Sequence, residues 1–351
     1  MNSPSTRRAM VKAPYQFETR QETLPALKDG DLLIDIAACA ICGTDLSIAG
    51  KLAKDWQPFG HEVSGIVRAV GAGVRDFQPG DRVALDSSAP CGACERCRAG
   101  APLECTAVAS YWGRYMGFAD WLITPRQCAF PAGDLPPQVA CLLEPLGVSV
   151  DLVSIAEVGP GDRVLLIGPG PLGLLAIPAA KAKGAAQIWV AGHSHSVARL
   201  EAAKQLGADA IIEVDQTDLR KFDFGPRGVN KVLVVAPPTE IPLALDLVAK
   251  GGIVAYIGIS WGPAGKITID ADQMHFRRQQ LRSSMASPGT RGPEALALLR
   301  SGRFDPNLVI SHCFELADLP ANMLRNRDDK ATAKKLVMLN PANAWVKEQA
   351  K

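Results

Sequence analysis

The sequence has almost no excess of either charge. Thirty-eight Lys and Arg stand against 36 Asp and Glu, a formal net charge of +2 over 351 residues. Neither a nucleic-acid backbone nor an anionic membrane surface would find the basic face it needs. An apolar run at the N-terminus is also missing. Met1 to Pro14 carries Arg7 and Arg8 with no hydrophobic stretch behind them, so no secretory signal peptide is expected. Nor is there a long unbroken hydrophobic segment. The most apolar stretch, Val164 to Ala180, is interrupted by Gly168, Pro169, Gly170, Pro171, Gly173 and Pro178, a density of breakers that a membrane helix does not tolerate.

What is present is the balance of a globular chain folding in water, 47% hydrophobic and 21% charged, at a length that suits two domains. Nine cysteines without a secretory signal argue for a reducing, cytoplasmic compartment and for metal or redox use instead of disulfides. Four of them form Cys91-Gly92-Ala93-Cys94-Glu95-Arg96-Cys97, followed after seven residues by Cys105. Cys-x-x-Cys spacing lets adjacent thiolates of one tight loop face a common centre, and a fourth sulfur closes a tetrahedron with no open position. Cys91, Cys94, Cys97 and Cys105 are therefore expected to hold a structural zinc.

A second concentration of ligand chemistry runs from Cys42-Gly43-Thr44-Asp45 to Gly60-His61-Glu62. A catalytic zinc takes three protein ligands and keeps one position free. Cys42 and His61 supply two. The third comes from Glu62 or from farther along, with Glu144 in Leu143-Glu144-Pro145-Leu146 the best distant candidate. Taken singly, Cys42 reads as a small buried hydrophobe, His61 as a core histidine and Glu144 as a solvated surface residue.

Short alternating runs around Leu32–Ile36, Val63–Gly71, Arg82–Ala84 and Met116–Ile123 predict a β-rich, barrel-like first domain. Helical spacing begins at Pro137, through Val139, Leu142, Leu143, Leu146 and Val150. The character then changes. The buried-strand run Arg163–Ile167 leads into Gly168-Pro169-Gly170-Pro171-Leu172-Gly173 and a helix from Leu174 to Lys183. This is Gly-x-Gly-x-x-Gly after a strand and before a helix, where a pyrophosphate meets free N–H groups. The next strand is Gln187–Ala191. A Rossmann site for NAD places an acid about twenty residues past the glycines, but here the segment is Gly192-His193-Ser194-His195-Ser196-Val197-Ala198-Arg199. With Ser194 at that position no carboxylate repels a 2′-phosphate, and Ser194, His195 or Arg199 could meet one. This tilts the cofactor from NAD toward NADP. The alternation continues with a helix over Ala202–Leu206, strands at 210–212, 231–235 and 252–259, and a helix over Leu243–Lys250. It predicts an α/β doubly wound parallel sheet.

These residues together resemble the zinc-dependent medium-chain dehydrogenases, the alcohol dehydrogenase family. The likeness runs from Ile41-Cys42-Gly43-Thr44-Asp45 through Gly60-His61-Glu62, the four-Cys lobe, Gly117-Phe118-Ala119 and the glycine loop to Lys335-Leu336-Val337. It implies a GroES-like β-rich catalytic domain over 1–150, with the structural-zinc lobe at 88–106. A Rossmann domain over 151–286 follows, and 287–351 returns to the catalytic domain. Two zinc ions per chain and NAD or NADP are implied, as is a homodimer or homotetramer formed through the Rossmann sheet edge. Glu144-Pro145-Leu146 resembles the sorbitol and threonine dehydrogenase branch, in which Glu stands where alcohol dehydrogenase has its second Cys. One of Glu62 and Glu144 would then bind the metal directly, with Cys141 a lower-ranked rival. Many relatives have a relay His five residues after the ligand Cys; this chain has Ser47, so the proton would pass through Thr44, cofactor hydroxyls, Ser47 or water. Phe118 and Trp56 are candidate pocket walls, or ordinary core. The implied reaction is reversible oxidation of a secondary hydroxyl in a polyol, with a simple alcohol or an amino alcohol such as threonine as the alternative, and a cofactor-binding protein without turnover as the non-enzyme reading.

Overall fold

The computed structural model describes residues 5–349. It starts as an antiparallel hairpin, β1 (Ser5–Lys12) with β2 (Gln16–Thr23), in register from Ser5↔Thr23 to Lys12↔Gln16. β3 (Asp31–Ala40) is buried almost without alternation, as a strand covered on both faces must be. Helix α1 (Gly43–Ser47), a π turn at Ile48–Leu52 and the short β4 (Gln57–Pro58) lead into β5 (Glu62–Val70). β5 lies antiparallel to β3, and β6 (Arg82–Leu85) flanks β5. β7 (Ser88–Ala89) and β8 (Ala109–Ser110) pair at the base of the four-Cys loop, which carries the single turn α2 (Glu95–Arg98). β9 (Trp121–Pro125) pairs with β3, and β10 (Ala129–Pro131) with β6. The expected strand over Met116–Ile123 is realised only in its second half. Gly117 and Phe118 instead form an irregular segment beneath Gly60, with the Gly117 N–H donating to the Gly60 carbonyl at 2.7 Å.

The helical spacing after Pro137 becomes α3 (Pro137–Ala140) and α4 (Leu143–Ile155). This stretch is long and apolar enough to cross a membrane, but 72% of it is buried inside the protein, so it is a core helix. It packs against α5 (Pro171–Ala182), which follows β11 (Arg163–Ile167). β12 (Gln187–Gly192), α6 (Val197–Gln205), β13 (Ala210–Glu213), β14 (Val229–Val234), α7 (Ile241–Leu247), β15 (Val248–Tyr256), α8 (Ala271–Arg277) and β16 (Gln280–Ser283) complete a parallel sheet in the order β13-β12-β11-β14-β15-β16. This is the doubly wound arrangement expected. One boundary moves: the helix expected to Lys250 stops at Leu247, because β-branched Val248 and the Gly251-Gly252 pair favour the extended chain that β15 requires. β16 was not legible in Gln280-Leu281-Arg282-Ser283, since an edge strand needs no apolar alternation.

After α9 (Gly292–Arg300) the chain returns to the first sheet. β17 (Ile310–Phe314) and, beyond α10 (Leu319–Asp328), β18 (Lys335–Leu339) join it in the order β10-β6-β5-β3-β18-β17. β18 runs antiparallel to β3 with Val337 opposite Ala40. The last strand thus lies beside the one that delivers Cys42.

Candidate active site and zinc centres

Cys42 follows β3 at the N-terminal end of α1, and His61 precedes β5. A single side chain ties them together. Asp45 is wholly buried; it accepts from the Cys42 N–H at 2.9 Å and the Gly60 N–H at 3.1 Å, and stands 3.6 Å from His61 Nδ1. Gly60 is required at its place. Its φ is +88°, and a Cβ there would lie 2.6 Å from the Phe118 ring. Tyr111 fixes the other side by donating to the His61 carbonyl at 2.7 Å.

The Cys42 thiol, a His61 ring nitrogen and a Glu62 oxygen all lie within 4.8 Å of one another. Glu62 Oε1 pairs with Lys335 Nζ at 2.6 Å, and Lys335 also donates to the Ile41 carbonyl at 3.3 Å. His61 Nδ1 and Glu62 Oε2 are buried without a hydrogen-bond partner, which a buried polar atom rarely tolerates. Burial works against charge on His61, yet the Cys42 thiol and the Asp45 carboxylate outweigh it and hold the ring well above its ordinary pKa. The pocket is built to keep positive charge, and the donor set of thiol, imidazole and carboxylate fits zinc.

Glu144 is not among the three converging donors. It sits in the first turn of α4, where burial pushes its carboxyl up to about 8, against the pull of the His61 charge and with the help of Glu62. Cys141 is fully buried in a small apolar cluster and turns its thiol to the Gln138 carbonyl at 3.2 Å. Thr44 is half-buried on α1, and Ser47 donates back to the Gly43 carbonyl at 3.3 Å. Phe118 is core, 4.8 Å from the Phe59 ring behind His61, and Trp56 packs near Arg20. The aromatic ring facing His61 is Trp112, at 4.8 Å between ring centres and 44% exposed. Nothing in its local sequence singles it out, because it reaches the site only through the turn that follows β8.

The four thiols of Cys91, Cys94, Cys97 and Cys105 also lie within 4.8 Å of one another. Backbone N–H groups of Cys91 and Cys94 donate to the Cys105 and Cys91 sulfurs, each at 3.3 Å. Backbone donors of Cys97 and Thr106 pull the Cys94 thiol down to about 5, while burial and then Cys94 push Cys97 up to about 12. One thiolate forms readily and suppresses the next. A dication relieves that conflict, so the group fits a structural zinc.

In the parallel sheet, Gly168 and Gly170 lie in the turn between β11 and α5, and Pro171, Leu172 and Gly173 open the helix. Gly173 packs so closely that a Cβ would fall 2.2 Å from the Gly168 carbonyl oxygen. Its missing side chain lets the helix start approach the strand, and with it a pyrophosphate. At the end of β12, Ser194 is not free of acidic company as the sequence suggested: Asp215, 21 residues on, holds its hydroxyl. The rings of His193 and His195 stack 5.2 Å apart. Arg199 points away, donating to the Ala333 carbonyl at 2.8 Å.

Comparison with known proteins agrees with this chemistry. Residues 28–134 match the alcohol dehydrogenase GroES-like domain, and residues 171–301 match the zinc-binding dehydrogenase family. The chain is 32% identical to L-threonine 3-dehydrogenase of Pyrococcus horikoshii, covering 87% of this chain and 90% of that protein. It is 30% identical to D-altritol 5-dehydrogenase of Agrobacterium fabrum, covering 88% and 92%. The structure of a zinc-binding dehydrogenase from Sinorhizobium meliloti bound to NADP superimposes with a TM-score of 0.85 at 26% identity, over 96% of this chain and 100% of that one. The family matches account for the GroES-like and Rossmann parts of one fold and for the use of zinc and a nicotinamide cofactor. The chain belongs to the zinc-dependent medium-chain dehydrogenases, as an NAD(P)-linked oxidoreductase.

Proposed function

We propose that this oxidoreductase converts a secondary hydroxyl of a polyol or sugar alcohol to the ketone, with Cys42, His61 and Glu62 holding the catalytic zinc and Glu144 beside it. The observation that carries the reading is the three-donor group with two unpartnered buried atoms, whose third member is a carboxylate and not a thiol. When bound, zinc supplies Lewis-acid polarisation of the substrate oxygen. The chain's own residues do the rest. Asp45 orients Cys42 and His61, and Lys335 fixes one oxygen of Glu62 so that the other faces the cluster. Thr44 Oγ1 accepts the substrate's hydroxyl proton as it gives up its own to a cofactor hydroxyl, to Ser47 Oγ or to water. The glycine turn at 168–173 and α5 orient the cofactor. Residues 1–150 and 287–351 make up the catalytic part and 151–286 the cofactor part.

A screen of polyols, simple secondary alcohols and L-threonine, with NAD and NADP in parallel, tests the substrate class through absorbance of the reduced nicotinamide. Polyols are expected to lead in kcat/KM. Threonine in the lead would support the second reading, which the Pyrococcus relative favours, and no turnover by protein carrying both zincs would sink the enzyme reading. We also infer a homodimer or homotetramer, since the outer edge of β16 has no neighbouring strand among the described residues and Phe276 and Met285 nearby are 74% and 79% exposed. Free thiols throughout the described residues suit a reducing cytoplasm.

A further inference from the structure

Strands β11, β12 and β13 are neighbours in the parallel sheet and end at one edge, with Ile167 opposite Ala191 and Gly192 opposite Glu213. In a doubly wound sheet this edge receives the dinucleotide: pyrophosphate at the first turn, adenosine ribose at the end of the second strand, where an acid normally accepts from its 2′-hydroxyl. The second strand here ends without one. It does touch the glycine turn, since a Cβ on Gly192 would fall 2.6 Å from Pro169 Cγ. The next strand supplies what the second lacks. The Val214 N–H donates to the Gly192 carbonyl at 3.0 Å, which brings the following residue alongside Ser194. There Asp215 takes both of that serine's donors: Oδ1 accepts from the Ser194 N–H at 2.8 Å and Oδ2 from the Ser194 hydroxyl at 2.5 Å.

We propose that Asp215 decides the cofactor, accepting from the 2′-hydroxyl of NAD and turning away the 2′-phosphate of NADP. This rests on the reading of 168–173 as the dinucleotide turn. The acid of the fingerprint is present in space though displaced in sequence, carried by the turn after the third strand and steadied by Ser194. The carboxylate is exposed, so a ligand can reach it. The hydroxyl and N–H of Ser194, with a smaller pull from His193, hold it below the usual carboxylate range, so its charge persists at every working pH. The stacked pair His193 and His195 is the opposing element, because a protonated imidazole would attract the extra phosphate.

The test is fluorescence titration of the full-length, zinc-loaded protein with NADH and with NADPH at pH 8, a readout that needs no known substrate. NADH is expected to bind at least about tenfold more tightly. Asp215→Asn, which keeps shape and removes charge, should tighten NADPH and bring the two affinities to within roughly threefold. Ser194→Ala, which frees the carboxylate without deleting it, should fall between. Wild-type protein that binds NADPH as tightly as NADH, or a preference unmoved by Asp215→Asn, would overturn the inference alone. Failure of both nucleotides to bind would overturn the dinucleotide reading and the inference with it.

Discussion

Lys335 Nζ lies 2.6 Å from Glu62 Oε1, and the two side chains are 2% and 0% exposed. They are 273 residues apart in sequence, and their ion pair is sealed from water on all sides. Removing one partner of such a pair leaves a bare buried charge, at a cost of about 3–5 kcal/mol. Lys335→Met is therefore expected to destabilise the protein by that order, and Lys335→Arg by less. Urea unfolding measures both. The loss should be larger after chelation than in zinc-loaded protein, because a bound cation gives Glu62 a second partner.

Asp45 reaches no substrate, yet it accepts from Cys42 and Gly60 and stands beside His61 Nδ1. Partners that orient ligands typically govern metal affinity by 10–100-fold. Asp45→Asn should weaken zinc retention by about that factor against a competing chelator while the Cys91–Cys105 site keeps its metal. Unchanged retention would mean that Cys42 and His61 hold their places unaided.

Cys105→Ser should drop the zinc content by one ion per chain and expose the lobe to proteolysis, because three sulfurs leave the tetrahedron open. Cys42→Ser should also remove one ion but leave the lobe resistant. It should lower turnover by roughly three decades, the equivalent of several kcal/mol of lost polarisation. Mass spectrometry of the native protein separates the two losses.

Asp86 gives a pH prediction. Burial raises its carboxyl to about 7, against hydrogen bonding from the Ser88 N–H and the charge of His61. An unfolded Asp titrates near 3.9. Between those values the folded chain binds more protons than the unfolded one, so this group's contribution to stability falls as pH rises, by at most about 1.4 kcal/mol per unit. Asp86→Asn removes the dependence. Its stability relative to wild type should improve between pH 5 and pH 8 in denaturant unfolding; a constant difference would show that Asp86 ionises freely in the fold.

How far the sequence could be read depended on how local each feature is. The four-Cys lobe, the glycine turn and the pairing of Cys42 with His61 were legible because turn chemistry and ligand spacing act over a few residues. So was the doubly wound sheet, whose strands are buried runs with glycine punctuation. Lys335 was not, because its partner sits on β5, across β3 in the sheet, a neighbourhood that sequence spacing does not encode. Asp215 is out of view for the same reason: a search about twenty residues past the glycines inspects the end of the second strand, and Asp215 follows the third. Of the two readings open for Phe118, pocket wall or core, the structure shows core, with its ring beneath Gly60, while the ring that faces His61 is Trp112, on an unremarkable turn. The end of α7 shifted because tertiary pairing to β14 outweighed helical spacing after Leu247.

β18 inserts between β3 and β17 near the end of the chain. During synthesis, every zinc donor and the whole parallel sheet leave the ribosome before the strand bearing Lys335. A chain lacking β18 would carry a complete ligand set with an unanswered carboxylate and an open seam beside β3, so this strand closes the site that the earlier ones assemble.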